Sequence, residues 1–268
     1  MRNPMISILM GIYNCESTLI ESIESIVNQT YKSWELIICD DGSIDNSLDI
    51  ARTYEDRYKD KIRVISNQMN IGLAATLNNC LVYATGKYIA RQDGDDISIS
   101  DRLEKQVKFL ESEDYYSILS SSMILFDENG EWGFLKVIEE PSKFDFIKGS
   151  PFAHAPSMIR KDALLSIGGY DNKRYKLRVE DYDLWFRMYE KGYLGYNIKE
   201  PLYKARDDRN AVSRRKFKYR INETLIKING FHRLKLPIIV YIHALKPLIV
   251  GLLPKFAYNI IRKKKRAL

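Results

Sequence analysis

No stretch of this sequence reaches the roughly 18–20 consecutive apolar residues that a membrane-spanning helix needs. Its most apolar segment, residues 236–261, is broken by His243, Lys246, Pro247, Pro254 and Lys255. Arg2 is followed by Asn3 and Pro4 instead of an apolar core, so no secretory leader is expected. Cysteine is scarce. Cys15, Cys39 and Cys80 are an odd number at spacings that match no metal-ligand pattern, which predicts free thiols in a reducing compartment. No G-x-G-x-x-G follows the first apolar run and no Walker-type phosphate loop occurs, so neither common phosphate-cradling loop is present. Internal repeats and low-complexity linkers are absent as well.

What is present is enough for a substantial core. Hydrophobic residues make up 45% of the 268, with 18 tyrosines among them, which excludes a disordered chain. The net charge of +7 conceals an asymmetry: residues 203–268 carry a net +15 and the first 202 a net −8. An acidic body with a basic tail points the tail toward an anionic surface, membrane or nucleic acid.

The first half alternates strand-like and helix-like patterns. Residues 6–10 are a short apolar run, and Leu19, Ile20, Ile23, Ile26 and Val27 then follow helical spacing. Residues 35–39 and 62–65 read as strands, and residues 47–58 and 73–84 as helices. A short apolar segment, residues 88–90, follows. Repeated βα units predict an α/β fold with a mostly parallel central sheet flanked by helices. Beyond residue 101 we expect a helix over 101–110, a hairpin joining residues 123–126 to 132–137, a flexible turn at Gly168-Gly169-Tyr170 and a helix over 180–191. The division expected is one α/β domain over residues 1–210 and a basic amphipathic helical tail over 211–268.

Arg91-Gln92-Asp93-Gly94-Asp95-Asp96 sets three carboxylates within four residues after a strand-like run. They repel one another, so either a cation or polar ligand offsets the repulsion or the run is an acidic turn. In extended chain Asp93 and Asp95 would project together, with Gly94 letting a ligand approach the backbone. In open α/β sheets ligands bind beyond the carboxyl ends of the strands. Three polar features sit at such ends: residues 11–14, 40–43 and 93–96. Together they suggest one site for a nucleotide-like ligand, its phosphate charge met by a metal ion held at the acidic cluster.

Seven segments together resemble the family 2 glycosyltransferases of GT-A fold, over about residues 5–205. They are Ser7-Ile8-Leu9-Met10-Gly11-Ile12-Tyr13-Asn14, Ser25-Ile26-Val27-Asn28-Gln29-Thr30-Tyr31, Asp40-Asp41-Gly42-Ser43-Ile44-Asp45, Asn70-Ile71-Gly72-Leu73, Asp93-Gly94-Asp95-Asp96, Gly168-Gly169-Tyr170-Asp171 and Glu180-Asp181-Tyr182-Asp183-Leu184-Trp185. The resemblance implies transfer of a sugar from a nucleotide-sugar with inversion at the anomeric carbon. By residue, it implies that Tyr13 stacks on the nucleotide base and Asp41 hydrogen-bonds it, with Gly11 in the same binding loop. Asp93 and Asp95 match the family's DxD, the first near the ribose and the second on a Mn²⁺ or Mg²⁺ ion. Asp181 matches the catalytic base. The resemblance favours UDP as the nucleotide, with GDP and dTDP as alternatives, and implies a glycan or lipid-linked acceptor in bacterial surface-polysaccharide synthesis.

Spacing singles out Asp181 separately. Asp181, Leu184, Trp185 and Met188 fall on one helical face, so Asp181 begins an apolar face whose desolvation would raise its pKa. Asp183 is expected to pair with Arg187 at i+4 as surface electrostatics, and Glu180 is an acid at a helix start. His154 and Glu180 are candidates for the acceptor side, a satisfied core histidine being the other reading of His154. Arg178 and Arg214-Arg215 read as solvated charge that could also approach a diphosphate.

The tail, with its terminal Arg262-Lys263-Lys264-Lys265-Arg266, suits either contact with an anionic membrane at the cytoplasmic face or a helical pair packed on the domain. Membrane contact is the reading preferred, and no nucleic-acid-binding fold is evident. Competing functions are a sugar-phosphate nucleotidyltransferase and a non-catalytic membrane-binding module. A glycosidase also needs two carboxylates but not the nucleotide-holding segments.

Overall fold

The computed structural model describes residues 4–173, 176–207 and 216–252. Four strands, β1 (Ile6–Ile12), β2 (Trp34–Asp40), β3 (Ile62–Ser66) and β4 (Tyr88–Asp93), pair in parallel in the order β3-β2-β1-β4. Helices α1 (Glu16–Val27), α2 (Ser47–Arg57) and α3 (Leu73–Tyr83) connect them. The period of two decides which side chains meet which helices. Ile6, Ile8, Met10 and Ile12 of β1 pack with Leu19, Ile23 and Ile26 of α1 on one face of the sheet. Leu9 packs with Leu77 and Cys80 of α3 on the other. Gly11 also faces α3, where a Cβ would come within 3.1 Å of Leu73 and 3.2 Å of Thr76.

The second half adds β5 (Ile97–Ser98), α4 (Arg102–Ser112), β6 (Tyr116–Asp127), β7 (Gly130–Leu135), β8 (Met158–Arg160), α5 (Lys161–Ser166), α6 (Glu180–Glu190) and β9 (Leu194–Arg206). Among the described residues the sheet has nine strands in the order β3-β2-β1-β4-β8-β6-β9-β5, with β7 paired to β6. Beyond β4 it is mixed. β8 runs antiparallel to β4 and β6, and β9 runs parallel to β6. The expected helices and hairpin are present, β6 being longer than its apolar stretch suggested. β5, β8 and β9 went unanticipated for physical reasons. β5 and β8 are two and three residues long, too short to show a period. β9 breaks its own alternation at Lys199-Glu200, where its register with β6 slips between Ile198 and Pro201.

The described part of the basic tail is built onto this domain. Helix α7 (Phe217–Arg233) lies against α6, and Gly230 sits so close that a Cβ would fall 2.4 Å from the Phe186 ring. Phe231 is fully buried, 6.2 Å from Phe186 and 5.7 Å from Tyr241 between ring centroids. A 3-10 helix (Ile238–Leu245) and α8 (Lys246–Gly251) then fold back along α7, bringing Gly251 beside Phe217. Residues 211–215 and 253–268, with Arg214, Arg215 and the terminal cation cluster, lie outside the described residues. Among the described residues no helix is long and apolar enough to cross a membrane.

Phe231→Ala is expected to cost about 3–5 kcal/mol through lost burial and the cavity left behind. A single urea transition at a lower midpoint would establish α7 as part of the domain. Two separate transitions would show that the tail folds on its own.

Candidate active site

The carboxyl ends of β1, β2 and β4 open onto a cavity of about 610 Å³. Gly11, Tyr13, Asp41, Asp93 and Asp95 all line it, so the topology brings together the five residues expected to hold nucleotide and metal. Tyr13 is 48% exposed, leaving a ring face free for stacking. Asp41 is buried and heavily engaged. One of its oxygens accepts from Asn67 and the Ile71 backbone N–H, and the other accepts from the Gly72 N–H, each at 2.9 Å. It therefore locks the loop before α3, while its singly bonded oxygen retains acceptor capacity. Gly42 makes this approach feasible, because a Cβ there would lie 2.9 Å from the Met69 backbone.

The acidic run is held differently from the extended arrangement expected. β4 ends at Asp93, and residues 94 and 95 form a turn. Asp93 pairs bidentately with the buried Arg91 guanidinium, at 2.5 and 2.6 Å. Asp95 is left facing the cavity, with burial first and Asp93 second pushing its carboxyl up to about 6. Asp96, unassigned from sequence, turns inward and accepts from the Arg206 backbone N–H at 2.7 Å, tying the turn to β9. Burial, then Asp93 and Asp95, raise its pKa. Gly94 serves packing more than ligand approach, since a Cβ would sit 3.0 Å from Cys15 Sγ and 3.1 Å from Ile12. Beneath the turn, fully buried Arg102 donates to Ser98 Oγ at 2.6 Å and to the Arg91 carbonyl at 2.8 Å.

A second cavity, of about 500 Å³, adjoins the first and shares Arg178, Glu180 and Tyr219 with it. His154, Asp181, Arg220 and Glu223 complete much of its wall. Leu184, Trp185 and Met188 are fully buried, as the helical face of Asp181 implies. Asp181 itself is part-exposed into the cavity but enclosed on its other sides. Burial first, then the Glu180 charge, raises its carboxyl to about 7.

Asp183 pairs with Arg187 at 2.7 Å as expected, but it is not on the surface. It is 4% exposed and also holds buried Lys176 at 2.7 Å, which in turn pairs with Asp171 at 2.5 Å. These pairs anchor the segment leading into α6 and present Arg178 between the two cavities, with a left-handed φ of +66°. Gly168 and Gly169 are also left-handed, but the turn is pinned instead of flexible. Asn78 bonds both the N–H and the carbonyl of Tyr170, at 2.9 and 2.8 Å. The Tyr170 hydroxyl then meets His154 Nε2 at 2.9 Å. Burial, with Arg91 second, holds the His154 imidazole well below its ordinary pKa, so it is neutral and satisfied while still lining the cavity.

The donor set at the acidic turn suits a hard divalent cation in one specific way. Among the described residues no three acidic, histidine or cysteine side chains converge on a metal-sized site. Asp41, Asp93 and Glu180 line the same cavity, but Asp41 and Asp93 are already held by their own partners, whereas the ionised form of Asp95 is disfavoured by burial and then by Asp93. A Mg²⁺ or Mn²⁺ ion here would relieve that repulsion and draw its remaining oxygens from diphosphate and water, which such ions accept.

Sequence reasoning missed Arg91 as the partner of Asp93, although it stands in the same six-residue run. It also missed Tyr219, Arg220 and Glu223, which were assigned to a separate tail. No local pattern marks these as site residues, because α7 reaches the cavity only through packing on α6.

The sequence model of "Glycosyl transferase family 2" matches residues 7–168. EpsE of Bacillus subtilis (strain 168), named as a glycosyltransferase, is 48% identical over 262 residues, covering 98% of this chain and 94% of that protein. The Escherichia coli protein named UDP-Glc:alpha-D-GlcNAc-diphosphoundecaprenol beta-1,3-glucosyltransferase WfaP is 30% identical over 250 residues, or 91% and 94% of the two chains. The mannosyltransferase PcManGT of Pyrobaculum calidifontis, solved with GDP-Man and Mn²⁺, superposes with a TM-score of 0.63 over 98% of this chain and 71% of its own. At 18% identity that last likeness speaks for the fold.

Asp41→Ala is expected to leave the Ile71 and Gly72 N–H groups unpaired and to lower stability by about 1–3 kcal/mol. An unchanged urea midpoint would contradict the loop-locking role.

Proposed function

The chain belongs to glycosyltransferase family 2 and has its GT-A fold, and from that membership we propose an inverting transfer from a nucleotide-sugar with Asp181 as base. One observation carries the reading: a carboxyl held near neutrality lines a cavity that adjoins the nucleotide cavity through the shared Arg178, Glu180 and Tyr219. A base must be within reach of the proton it takes and have a pKa near the working pH. Membership in this family sets aside the nucleotidyltransferase and the non-catalytic module.

In the proposed reaction Tyr13 and the loop locked by Asp41 hold the base of the nucleotide. The diphosphate lies toward Asp93 and Asp95, and the acceptor hydroxyl approaches from the second cavity. Asp181 accepts the hydroxyl proton as the acceptor oxygen bonds to the anomeric carbon. The bond from that carbon to the phosphate oxygen breaks, and the nucleoside diphosphate leaves with the electron pair. Entry and departure on opposite faces of the sugar give inversion. A divalent cation bound at Asp95 would supply Lewis-acid stabilisation of the departing diphosphate. Arg178 is the cationic side chain lining both cavities and would add positive charge where the leaving group forms.

UDP is the nucleotide we propose, supported by the donor in the name of WfaP; the acceptor, by the same comparison, is a lipid-linked or saccharide glycan in surface-polysaccharide synthesis. The Mn²⁺ in the PcManGT structure supports the metal.

Nucleotide release from a panel of sugar donors, with and without Mn²⁺, tests the activity directly. Asp181→Asn should lower kcat by about 10²–10⁴ while nucleotide binding persists. Comparable turnover would remove its role as base. Asp95→Asn should abolish the Mn²⁺ dependence of nucleotide affinity, and an unchanged Mn²⁺ titration would argue against it as ligand.

The pH profile follows from the ionised form being the active one. Activity should rise about tenfold per pH unit up to about 7 and level off above it. The same raised pKa opposes folding once the group ionises. Its contribution to stability is full below the unfolded value near 4 and is lost as pH rises through about 7. Asp181→Asn should lack that loss.

A further inference from the structure

Helix α7 buries Ile226, Gly230 and Phe231 against the domain, but Arg220, Thr224 and Lys227 lie on its buried side as well. Phe217, Ile221, Leu225 and Ile228, spaced i, i+4, i+8 and i+11, form an outward stripe 38–46% exposed. Two of these inward polar groups, Arg220 and Lys227, have structural uses. Arg220 and Glu223 line the second cavity with Tyr219, and Lys227 Nζ donates to the Ile147 carbonyl at 3.1 Å. Of the outward apolar side chains Phe217 packs beside Gly251 of the returning arm, while Ile221, Leu225 and Ile228 have no such use within the described residues.

The returning arm continues the pattern. Ala244 and Pro247 face inward, while Ile238, Ile239, Ile242 and Ile249 are 63–82% exposed. Ten of the 23 exposed large apolar side chains lie in residues 217–252, about one-seventh of the described chain. A concentration of this kind marks an interaction surface and not ordinary scatter.

Charge selects the partner. Lys218, Arg233, Lys235 and Lys246 are exposed on the same hairpin, and Glu223 is the one acid in residues 216–252 of the sequence. The chain then continues to the five cations at residues 262–266. Apolar side chains interleaved with cations match a surface with acyl chains beneath anionic headgroups.

We propose that the outward face of α7 and its returning arm docks on an anionic lipid bilayer. The inward face of the same helix walls the second cavity, so docking sets that cavity against the membrane and fits an acceptor held there by a lipid. Only the identity of the acceptor rests on the transferase reading; the docking does not.

The experiment uses the full chain and vesicles of phosphatidylcholine, alone or with about one-third phosphatidylglycerol. The protein should co-sediment with the anionic vesicles, and weakly with neutral ones or at high salt. Two double variants, Ile221→Ser with Leu225→Ser and Ile239→Ser with Ile242→Ser, should each weaken binding at least about tenfold. Their Tm and their stabilisation by UDP should stay as in the parent protein. Equal binding by the variants, or no binding by the parent, overturns the proposal. So does a dimer that the variants dissociate, read by light scattering, because the stripe would then face a second copy. A fall in Tm of several degrees also overturns it, since the stripe would then be covered by the chain itself. Vesicle binding without any nucleotide stabilisation rejects the transferase reading and leaves the docking intact, and the reverse rejects the docking alone.

Discussion

The buried pair between Arg91 and Asp93 is the interaction on which the site depends. Two carboxylates beyond the first, Asp95 and Asp96, crowd the same turn, and the Arg91 charge offsets the repulsion among all three. The same guanidinium acts on Asp181, on His154 and on the Tyr170 hydroxyl. A buried charge is costly unless it is paired. Here the pairing is bidentate and is seated on the Arg102, Gln92 and Ser98 network below it. One cation thus biases both the leaving-group half and the base half of the site.

Separation of roles between carboxylates follows from their surroundings. Asp93 is neutralised by Arg91, Asp96 is spent on the backbone of β9, and Asp41 is spent on a loop. Asp95 and Asp181 are the two that face cavities with their ionised forms disfavoured. The first suits a cation and the second suits a proton. Chemistry in this site is assigned by what each acid lacks as much as by where it stands.

Helix α7 links this site to the outer surface. Ile226 and Phe231 anchor it, Tyr219, Arg220 and Glu223 wall the second cavity and an apolar stripe faces out, so a single helix serves as cavity wall and as surface. The two demands explain a composition that looks wrong for either one alone. They also explain why a boundary at residue 210 was drawn from charge while the packing runs across it.

The parallel half of the fold was legible because β1, β2 and β4 each carry a short, mostly apolar run and α1 to α3 alternate with them at helical spacing. The candidate site residues 11, 13, 41, 93 and 95 were legible for the same reason: strand ends in an open sheet converge on one edge. Asp181 was legible from its place at the head of an apolar helical face. Local pattern carries all of this because each feature is set by neighbours within a few residues in sequence.

Packing between distant segments decided the rest. Only the fold brings Tyr170 to His154, Arg206 to Asp96, and Tyr219 and Arg220 to Asp181. It also buries Asp183, whose expected surface role rested on an i+4 spacing that says nothing about Lys176 arriving from the preceding loop. The sequence by itself determined the kinds of groups present and the strand ends that carry them. The tertiary structure decided which acids are neutralised, which stay available, and which face of the tail meets the site, because burial and long-range pairing are properties of the assembled core.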